Sequence, residues 1–314
     1  MGSEEQREPR NPTRMILVLI VAVIVVAVGA AGYAAYTGGS HKGGPPRAII
    51  SGDSVTLNYI GTLPDGRVFD TSIASVAEDN ANYSKSLTFT LRSNDTYKPF
   101  TMTAGNYGSG GTIKGFALGV IGMHVGDQEV IEVPPEDGYP LIPMMLSTVN
   151  VTDTLPITQV MTVDQFRAAF NVEPIAMNVL THPFWQWNVL VVSVSGGFVT
   201  IKSQPVLGES VFPYGNPNSA NSPSGWEVKI VGYDPTADGG VGRITIRNMV
   251  TAADVYNMKG EDSSGNALIV WSFDETNQSF QIHHSDSAIG YNAEVAGRTL
   301  FFEVTIVKVV AGLS

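Results

Sequence analysis

The sequence predicts a mostly β protein of the α+β class, with one short helix in its first part and a membrane-spanning helix near its N-terminus. Three observations predict this architecture. Alternating apolar and polar residues recur along most of the chain, which is the periodicity of half-buried strands. Helical spacing of apolar residues is confined to two short stretches, within residues 112–127 and 161–170. Residues 15–36 form one uncharged, strongly apolar run.

Composition sets limits on both fold and function. The chain has 314 residues, of which 43% are hydrophobic, so it can bury a substantial core in more than one domain. It contains no cysteine, which excludes disulfides and thiolate metal sites. A net charge of −11 argues against a nucleic-acid partner, because phosphate-binding surfaces are basic.

The apolar run of residues 15–36 is long enough to cross a bilayer core of about 30 Å. Residues 1–14 form a polar tail whose arginines favour a cytoplasmic N-terminus, because membrane orientation follows Lys and Arg. We therefore expect a single-pass anchor in the cell membrane, with the C-terminal domains extracytoplasmic. A cleaved signal peptide is the alternative, since small residues near the end of the run offer cleavage sites. Residues 37–47, rich in Gly, are predicted to be a linker.

The first folded elements are predicted to be two strands joined by a turn. Apolar and polar residues alternate over residues 55–60, which predicts a strand. A proline and a glycine within residues 63–67 predict the turn, and residues 68–70 return as the second strand. A long polar excursion follows, in which residues 87–91 have the pattern of a further strand.

The stretch TIKGFALGVIGMHVGD, residues 112–127, has helical spacing but contains several glycines. Its apolar residues lie on one helical face; they are Ile113, Phe116, Ala117, Val120 and Ile121. Gly115 and Gly119 fall inside this pattern, and each costs roughly 0.5–1 kcal/mol relative to alanine. Gly122 is explained as the end of the helix, whereas local structure does not explain the other two.

The remainder of the chain is predicted to be β-rich. Residues 128–133 alternate as a strand, which a proline pair ends. One short amphipathic helix is predicted within residues 161–170. Three β-hairpins are predicted at residues 188–203, 226–248 and 266–284. The first and third hairpins are similar enough to suggest a weak internal repeat, and residues 299–309 form a strongly β-prone final strand.

Five segments of the chain resemble the FKBP-type peptidyl-prolyl isomerases and follow that family's order. They are GDSVTLNYIGTLPDGRVFDTS, KPFTMTAG, TIKGFALGVIGMHVGD, VIEVPPEDGYP and GRTLFFEVTIV, which begin at Gly52, Lys98, Thr112, Val130 and Gly297. Each segment alone is a weak signal, but their order and internal spacing make the resemblance strong. It implies an FKBP-like twisted antiparallel sheet around one short helix, whose glycines permit a close approach of its backbone to the sheet.

The resemblance also divides the chain. It implies that residues 48–140 and 291–314 form the isomerase domain, and that residues 141–290 form a large inserted β-rich domain. The insertion follows Tyr139, the tyrosine of the family's flap, which is similar to the insert-in-flap branch that is associated with binding unfolded chains. We expect a membrane-anchored prokaryotic form of that branch, of archaeal type.

The resemblance assigns a peptide site to a set of mainly aromatic residues. It implies that Asp70, Tyr139 and Tyr59 form the catalytic group, acting on the twisting amide and its carbonyls. The implied substrate-binding group consists of Phe69, Phe100, Thr112, Ile113, Phe116 and Phe302. Within that group Phe116 is the expected floor of the pocket, and the Ile113 N–H is an expected donor to a substrate carbonyl.

Some features of these residues fit a plainer interpretation. Aromatic residues on alternating strands ordinarily belong to a core, and Asp70 at a strand end would ordinarily be a solvated turn charge. Two positions depart from the family pattern. Where the family usually has a Trp at the pocket floor, this chain has Phe116, which makes the pocket less polar. Where the family usually has a Gly after the flap tyrosine, this chain has Pro140. Proline removes a backbone N–H and restricts Tyr139 to extended conformations.

Two other clusters are predicted to be structural. His283 and His284 with Asp286 could bind a metal, but neighbouring strand residues point to opposite faces. The run HPFWQWN, residues 182–188, could form a sticky site for unfolded chains, although core packing of the inserted domain is the commoner explanation.

The implied chemistry needs neither metal nor cofactor, and none is expected. Rotation about an X–Pro bond faces a barrier of roughly 18–20 kcal/mol, and a pocket lowers it by excluding water and favouring the twisted amide. The resemblance thus implies a non-covalent peptidyl-prolyl cis-trans isomerase with a desolvating aromatic pocket. Its expected partners are X–Pro-containing unfolded or exported polypeptides, whose folding it would assist. A non-catalytic holdase chaperone and a β-rich surface structural protein are the alternatives.

Overall fold

The computed structural model describes residues 47–218 and 224–312, and these residues are mostly β-structure. Three α-helices lie among them: α1 (Ala74–Glu78), α2 (Lys114–Gly119) and α3 (Val163–Phe170). The strands, in chain order, are β1 (Ser54–Thr62), β2 (Val68–Thr71), β3 (Phe100–Thr103), β4 (Gln128–Val133), β5 (Leu146–Asn150), β6 (Thr152–Pro156), β7 (Thr158–Thr162), β8 (Val179–Thr181), β9 (Asn188–Ser195), β10 (Phe198–Gln204), β11 (Ser210–Val211), β12 (Val228–Asp234), β13 (Arg243–Asn248), β14 (Lys259–Glu261), β15 (Ala267–Asp274), β16 (Ser279–His284) and β17 (Leu300–Val310).

The chain forms two compact units. The first unit runs up to Pro140 and resumes at Arg298, and the second is Leu141–Gly297. The sequence prediction divided the chain between residues 290 and 291, seven residues earlier than this second boundary. Residues 291–297 lie with the second unit, where the Tyr291 hydroxyl and His283 Nε2 are 2.7 Å apart in a hydrogen bond. The predicted membrane helix at residues 15–36 lies outside the described residues, and no helix among those described is long and apolar enough to span a membrane.

The first unit is built on a five-stranded antiparallel sheet with the order β2-β1-β17-β4, in which β3 also pairs with β1. The chain's last strand is central in this sheet. It pairs along all of β1, from Ser54 opposite Val310 to Thr62 opposite Phe301, and its other edge pairs with β4. The predicted strands at residues 55–60, 68–70, 128–133 and 299–309 are thereby confirmed.

The two unexplained glycines of α2 face β4. A Cβ atom on Gly115 would lie 2.7 Å from Val133 Cγ1, and one on Gly119 would lie 2.4 Å from Ile131 Cγ2. Real Cβ atoms do not come this close to a neighbour, so the helix can pack at this distance only with glycine at both positions. Tertiary packing therefore outweighs the local cost of two glycines in a six-residue helix.

The helix is shorter than its apolar pattern predicts. Phe116 and Ala117 are buried within it, but Ile113 only precedes it and Ile121 follows it with an exposed side chain. Gly122 turns the chain with φ +96°. The prediction of a helical face reaching Ile121 was therefore wrong, because the helix ends before that turn.

The excursion between β2 and β3 contains no strand at residues 87–91, so that prediction was wrong. Its only apolar ring there, Phe89, packs instead against the buried cluster of Ile60, Val68 and Val76. The Phe89 N–H donates to Ser86 O in a turn. The segment therefore contacts the core through the Phe89 side chain of a turn and not as a strand at a sheet edge.

The second unit consists of three four-stranded antiparallel sheets. Their orders are β7-β10-β9-β8, β11-β12-β13-β6 and β14-β15-β16-β5. Buried residues from all three sheets and from α3 belong to one hydrophobic cluster that includes Phe166, Trp187, Trp226 and Phe280. The three predicted hairpins and the predicted helix are confirmed, and Thr162 begins α3 with a reciprocal capping box to Gln165.

The three sheets repeat one plan. Each has a central hairpin, a short strand that precedes the hairpin, and one strand from the run β5, β6, β7. The first strand of each hairpin carries one extra residue in the same part of the ladder, at Val192, Val231 and Trp271. Such β-bulges are specific features of a strand rather than random irregularities. The internal repeat is therefore threefold, whereas the sequence suggested only the likeness of two hairpins.

Candidate active site

The floor of the site is formed by two buried phenylalanines of the first unit. Phe116 comes from α2 and Phe302 from β17, and their ring centroids are 4.7 Å apart. Only 3% of Phe116 and 6% of Phe302 is exposed. Both were predicted as site residues, and both rings lie next to the Tyr59 ring.

The walls of the site are three part-exposed rings from three different strands. Tyr59 of β1 lies 6.0 Å from Phe116, 6.1 Å from Phe100 of β3 and 6.2 Å from Phe302 between ring centroids. Phe69 of β2 stands edge-on to Phe302 at 5.6 Å. Residues far apart in the sequence thus converge on one aromatic hollow.

Strand register and one glycine make this convergence possible. Tyr59 and Val304 are directly opposite each other on β1 and β17, and Gly61 lies opposite Phe302. A Cβ atom on Gly61 would lie 2.8 Å from Phe69 Cζ and 3.2 Å from Phe302 Cε1. The missing side chain at Gly61 therefore leaves room for the two rings to meet over β1.

One edge of the hollow is polar. The Tyr59 hydroxyl donates to Asp70 Oδ2 at 2.6 Å, and the Thr71 N–H donates to Asp70 Oδ1 at 2.8 Å. Burial, followed by the Asp70 charge, raises the pKa of the Tyr59 hydroxyl. The phenol therefore stays protonated at neutral pH and continues to hold the carboxylate.

Arg92, which the sequence did not predict as a site residue, contacts the predicted Asp70. Its Nη2 donates to Asp70 Oδ1 at 3.0 Å and to the Thr71 carbonyl at 2.6 Å. Arg92 lies in the excursion between β2 and β3, directly after the strand-like run of residues 87–91 that forms no strand. The one signal that could have identified Arg92 from the sequence is its positive charge, which can pair with the predicted Asp70.

Three further residues were predicted for the site: Thr112, Ile113 and Tyr139. Thr112 and Ile113 immediately precede α2 and are half-buried, and Ile113 adopts an extended conformation with φ −66° and ψ 144°. Tyr139 is partly exposed, and burial followed by the Asp70 charge raises the pKa of its hydroxyl. Tyr139 therefore lies within electrostatic range of the Asp70 carboxylate, although Pro140 follows it.

The hollow combines an apolar interior with a small, well-anchored polar edge. Aromatic walls suit the flat apolar ring of proline, and a fixed hydroxyl–carboxylate pair can orient a neighbouring amide. Among residues 47–218 and 224–312, no group of three or more His, Asp or Glu side chains is placed to hold a metal ion. The rings and the Tyr59–Asp70 pair offer an apolar surface and directed hydrogen bonds.

The two remaining clusters identified from the sequence are packing features of the second unit. Trp185 and Trp187 stack in parallel with centroids 5.1 Å apart, and Trp187 is buried in the core. His283 is buried between Trp271 and Tyr291, while His284 hydrogen-bonds elsewhere, to the Ser147 hydroxyl.

Comparison with known proteins points to the same part of the chain. Residues 46–145 match the family described as FKBP-type peptidyl-prolyl cis-trans isomerase. A short-type peptidyl-prolyl cis-trans isomerase of Methanocaldococcus jannaschii is 41% identical over 93 residues, which are 30% of this chain and 52% of that protein. The human peptidyl-prolyl cis-trans isomerase FKBP10 is 38% identical over 99 residues, 30% of this chain and 13% of that protein.

An FK506-binding protein 4 of Chaetomium thermophilum is similar over the same extent, with 34% identity across 96 residues, 31% of this chain and 15% of that protein. The chain thus spans about half of the Methanocaldococcus relative and a smaller part of the other two. The matched residues contain all of the site described above except Phe302, which returns to it on the final strand. The chain therefore contains an FKBP-type peptidyl-prolyl cis-trans isomerase domain at residues 46–145.

Proposed function

We propose that this protein is a peptidyl-prolyl cis-trans isomerase that acts on X–Pro bonds of unfolded polypeptides. The convergence of five aromatic rings and the Tyr59–Asp70 pair on one hollow carries this proposal. Core packing alone does not require a carboxylate held by three donors beside a group of part-exposed rings. Similarity to the named isomerases supports the same activity.

The geometry suggests how the barrier is lowered. The planar amide is stabilised by resonance and by water, and the barrier to rotation is roughly 18–20 kcal/mol. A proline ring seated over Phe116 and Phe302 would remove water from one side of the amide. Because the twisted amide is less conjugated and less polar, dehydration favours it relative to the planar form. Tyr59, Asp70 and Tyr139 would fix the flanking carbonyls during the rotation.

The direct test is a protease-free isomerisation assay on a short X–Pro peptide, with matched substitutions in the two units. Phe100→Ala removes a wall of the hollow, and Phe198→Ala removes a phenylalanine of comparable exposure from the second unit (37% and 54%). The wild-type protein and Phe198→Ala should accelerate isomerisation, and Phe100→Ala should lose at least roughly tenfold in kcat/KM. A wild-type protein without any acceleration would refute the proposal.

The proposed setting is the outer side of a membrane, with residues 15–36 as the anchor. Their uncharged apolar composition and the preceding arginines support it. Protease added to intact cells should then remove the bulk of the protein while the N-terminal tail remains. Protection of the whole chain until the cells are lysed would reverse the proposed orientation, and a mature protein beginning after residue 36 would replace the anchor by a cleaved signal peptide.

A second candidate activity, holding unfolded chains without catalysis, is favoured by one observation in the second unit. Exposed apolar side chains occur on each strand of the β7-β10-β9-β8 sheet; they are Val160, Val179, Val192 and Phe198. We call these four residues the open face. The matching sheet, β14-β15-β16-β5, instead buries Ile269 and His283 completely, and Tyr291 packs on His283.

The contrast between these two sheets supports a polypeptide as the ligand of the open face. On the matching sheet, the cover is a non-strand segment of the chain itself, whose Ala293, Val295 and Ala296 are buried. A holdase would therefore use the open face for similar uncharged segments of a non-native protein. Replacing Val160 and Phe198 by Ser should abolish suppression of aggregation and leave peptide isomerisation intact. Suppression that survives this double substitution would exclude the open face.

A further inference from the structure

Arg92 reaches the edge of the hollow from the excursion between β2 and β3. One nitrogen, Nη2, bridges the Asp70 carboxylate and the Thr71 carbonyl at 3.0 and 2.6 Å. These two acceptors lie on adjacent residues of β2, so the guanidinium fixes both the side chain of Asp70 and the backbone that carries it.

Arg92 is itself held in place by Tyr97. The guanidinium carbon lies 4.9 Å from the Tyr97 ring centroid, a cation–π arrangement. The Tyr97 hydroxyl also accepts a hydrogen bond of 2.9 Å from the Arg92 backbone N–H. A long side chain normally loses much rotamer freedom when it is fixed, and here the ring of Tyr97 restricts it before any substrate arrives.

The contacts leave the Asp70 carboxylate with a definite partner on each oxygen. Oδ2 accepts from the Tyr59 hydroxyl, while Oδ1 accepts from the Thr71 N–H and from Arg92. In the free protein the side chain of Asp70 is 41% exposed, so water also screens its charge. A peptide lying in the hollow would displace that water, and an unpaired carboxylate is costly to dehydrate.

We propose that Arg92 is a positioning residue of the isomerase reaction: it orients Asp70 and offsets its charge so that the hollow can be dehydrated around the substrate amide. This inference rests on the proposed isomerase activity. Arg92 meets the hollow at its polar edge, where it bonds to Asp70 and also interacts with the Tyr59 side chain, and its effect passes through this pair. The excursion thereby contributes to catalysis through one side chain, although it contributes no strand to the sheet.

The test is a double-mutant cycle in the full-length protein, with kcat and KM measured on a short uncharged X–Pro peptide. Arg92→Gln should lower kcat/KM roughly tenfold, the low end for losing a hydrogen bond to a charged group. In an Asp70→Asn background the same change should cost less than twofold, because the charge that Arg92 offsets is already absent. Arg92→Lys should recover activity only in part, since an ammonium lacks the planar fork of guanidinium.

The matched control is Arg167→Gln in the second unit, which removes an arginine of similar exposure (47% against 42%) that is also paired with carboxylates. It should leave kcat/KM unchanged. Equal losses from Arg92→Gln with and without Asp70→Asn would overturn the inference, as would full activity of Arg92→Gln. If Arg92→Gln unfolds the domain, Tyr97→Leu provides the second variant, with the same coupling to Asp70 expected. An inactive wild-type protein would instead refute the isomerase proposal itself.

Discussion

The two units use aromatic side chains in opposite ways. In the first unit, Tyr59, Phe69 and Phe100 remain part-exposed around a buried floor. In the second unit, Phe166 and Trp226 are completely enclosed in a continuous core. An aromatic cluster in a β-rich sequence is therefore not by itself a sign of a site. The difference lies in how strand register and a missing side chain, that of Gly61, let rings from different strands meet while three of them stay part-exposed.

The largest expected effect comes from emptying the floor of the hollow and, for comparison, the core of the second unit. Phe116→Ala and Phe166→Ala each remove a buried ring and should each cost about 3–5 kcal/mol of stability in their own unit. Only Phe116→Ala should abolish isomerisation at a temperature where the protein is still folded. The chain's four tryptophans all lie in the second unit, so Trp fluorescence monitors the unfolding of that unit. Loss of activity in both variants alike would show that the comparison is wrong.

The next largest expected effect is that of acid, which should destabilise the second unit at a higher pH than the first. Burial lowers the pKa of His283 from 6.5 to about 4, so the unfolded chain binds a proton that the folded second unit does not. Its stability should be full above pH 6.5 and should fall towards pH 4, by on the order of 3 kcal/mol. His283→Gln should remove most of this pH dependence as followed by Trp fluorescence in urea. An unchanged slope in that variant would assign the effect to other groups.

The first unit should resist acid to a lower pH. Its buried carboxyl, Asp53, has a pKa of about 2 because Arg47 hydrogen-bonds to it and the Ile50 and Gly312 N–H groups donate to it. A carboxyl with a depressed pKa stabilises the fold above its unfolded value of 3.8 and loses that contribution between pH 3.8 and about 2. Isomerase activity recovered after brief acid exposure should thus persist below the pH at which Trp fluorescence changes.

The smallest expected effect on stability comes from deleting one hydroxyl from each unit. Tyr59→Phe removes the donor to Asp70, whereas Tyr214→Phe removes the hydroxyl of a ring stacked on Trp226 at 4.2 Å. Each should change the free energy of unfolding by only about 1 kcal/mol. Tyr59→Phe should nevertheless lower kcat/KM several-fold and Tyr214→Phe should not. Equal activities would mean that the Tyr59 hydroxyl serves packing alone.

Much of the fold could be predicted from the sequence because its strands alternate clearly and end at glycine or proline. The hairpins of the second unit and the final strand of the first follow directly from that pattern. The run that becomes β5, β6 and β7 was not assigned as strands, although each has five residues. Each of these strands pairs with a different hairpin far along the chain, and local sequence does not determine such non-local pairing.

The site was predictable to the extent that it lies on regular elements. Tyr59, Phe116 and Phe302 sit on strands or the helix, where spacing fixes direction, and they meet as the motif order implied. Arg92 lies in an irregular excursion, and its position depends on the stacking with Tyr97. No local propensity encodes that contact, so it required the three-dimensional structure.

The central position of β17 has a consequence for how the protein is made. During synthesis on the ribosome, β1 emerges early. The edge of β1 that pairs with β17 stays unpaired until the whole of Leu141–Gly297 has been synthesised. Closing so long a connection is entropically costly, and prior folding of the second unit into a compact body would shorten the free chain that must be closed. The first unit can therefore complete its sheet only after the second unit has been synthesised.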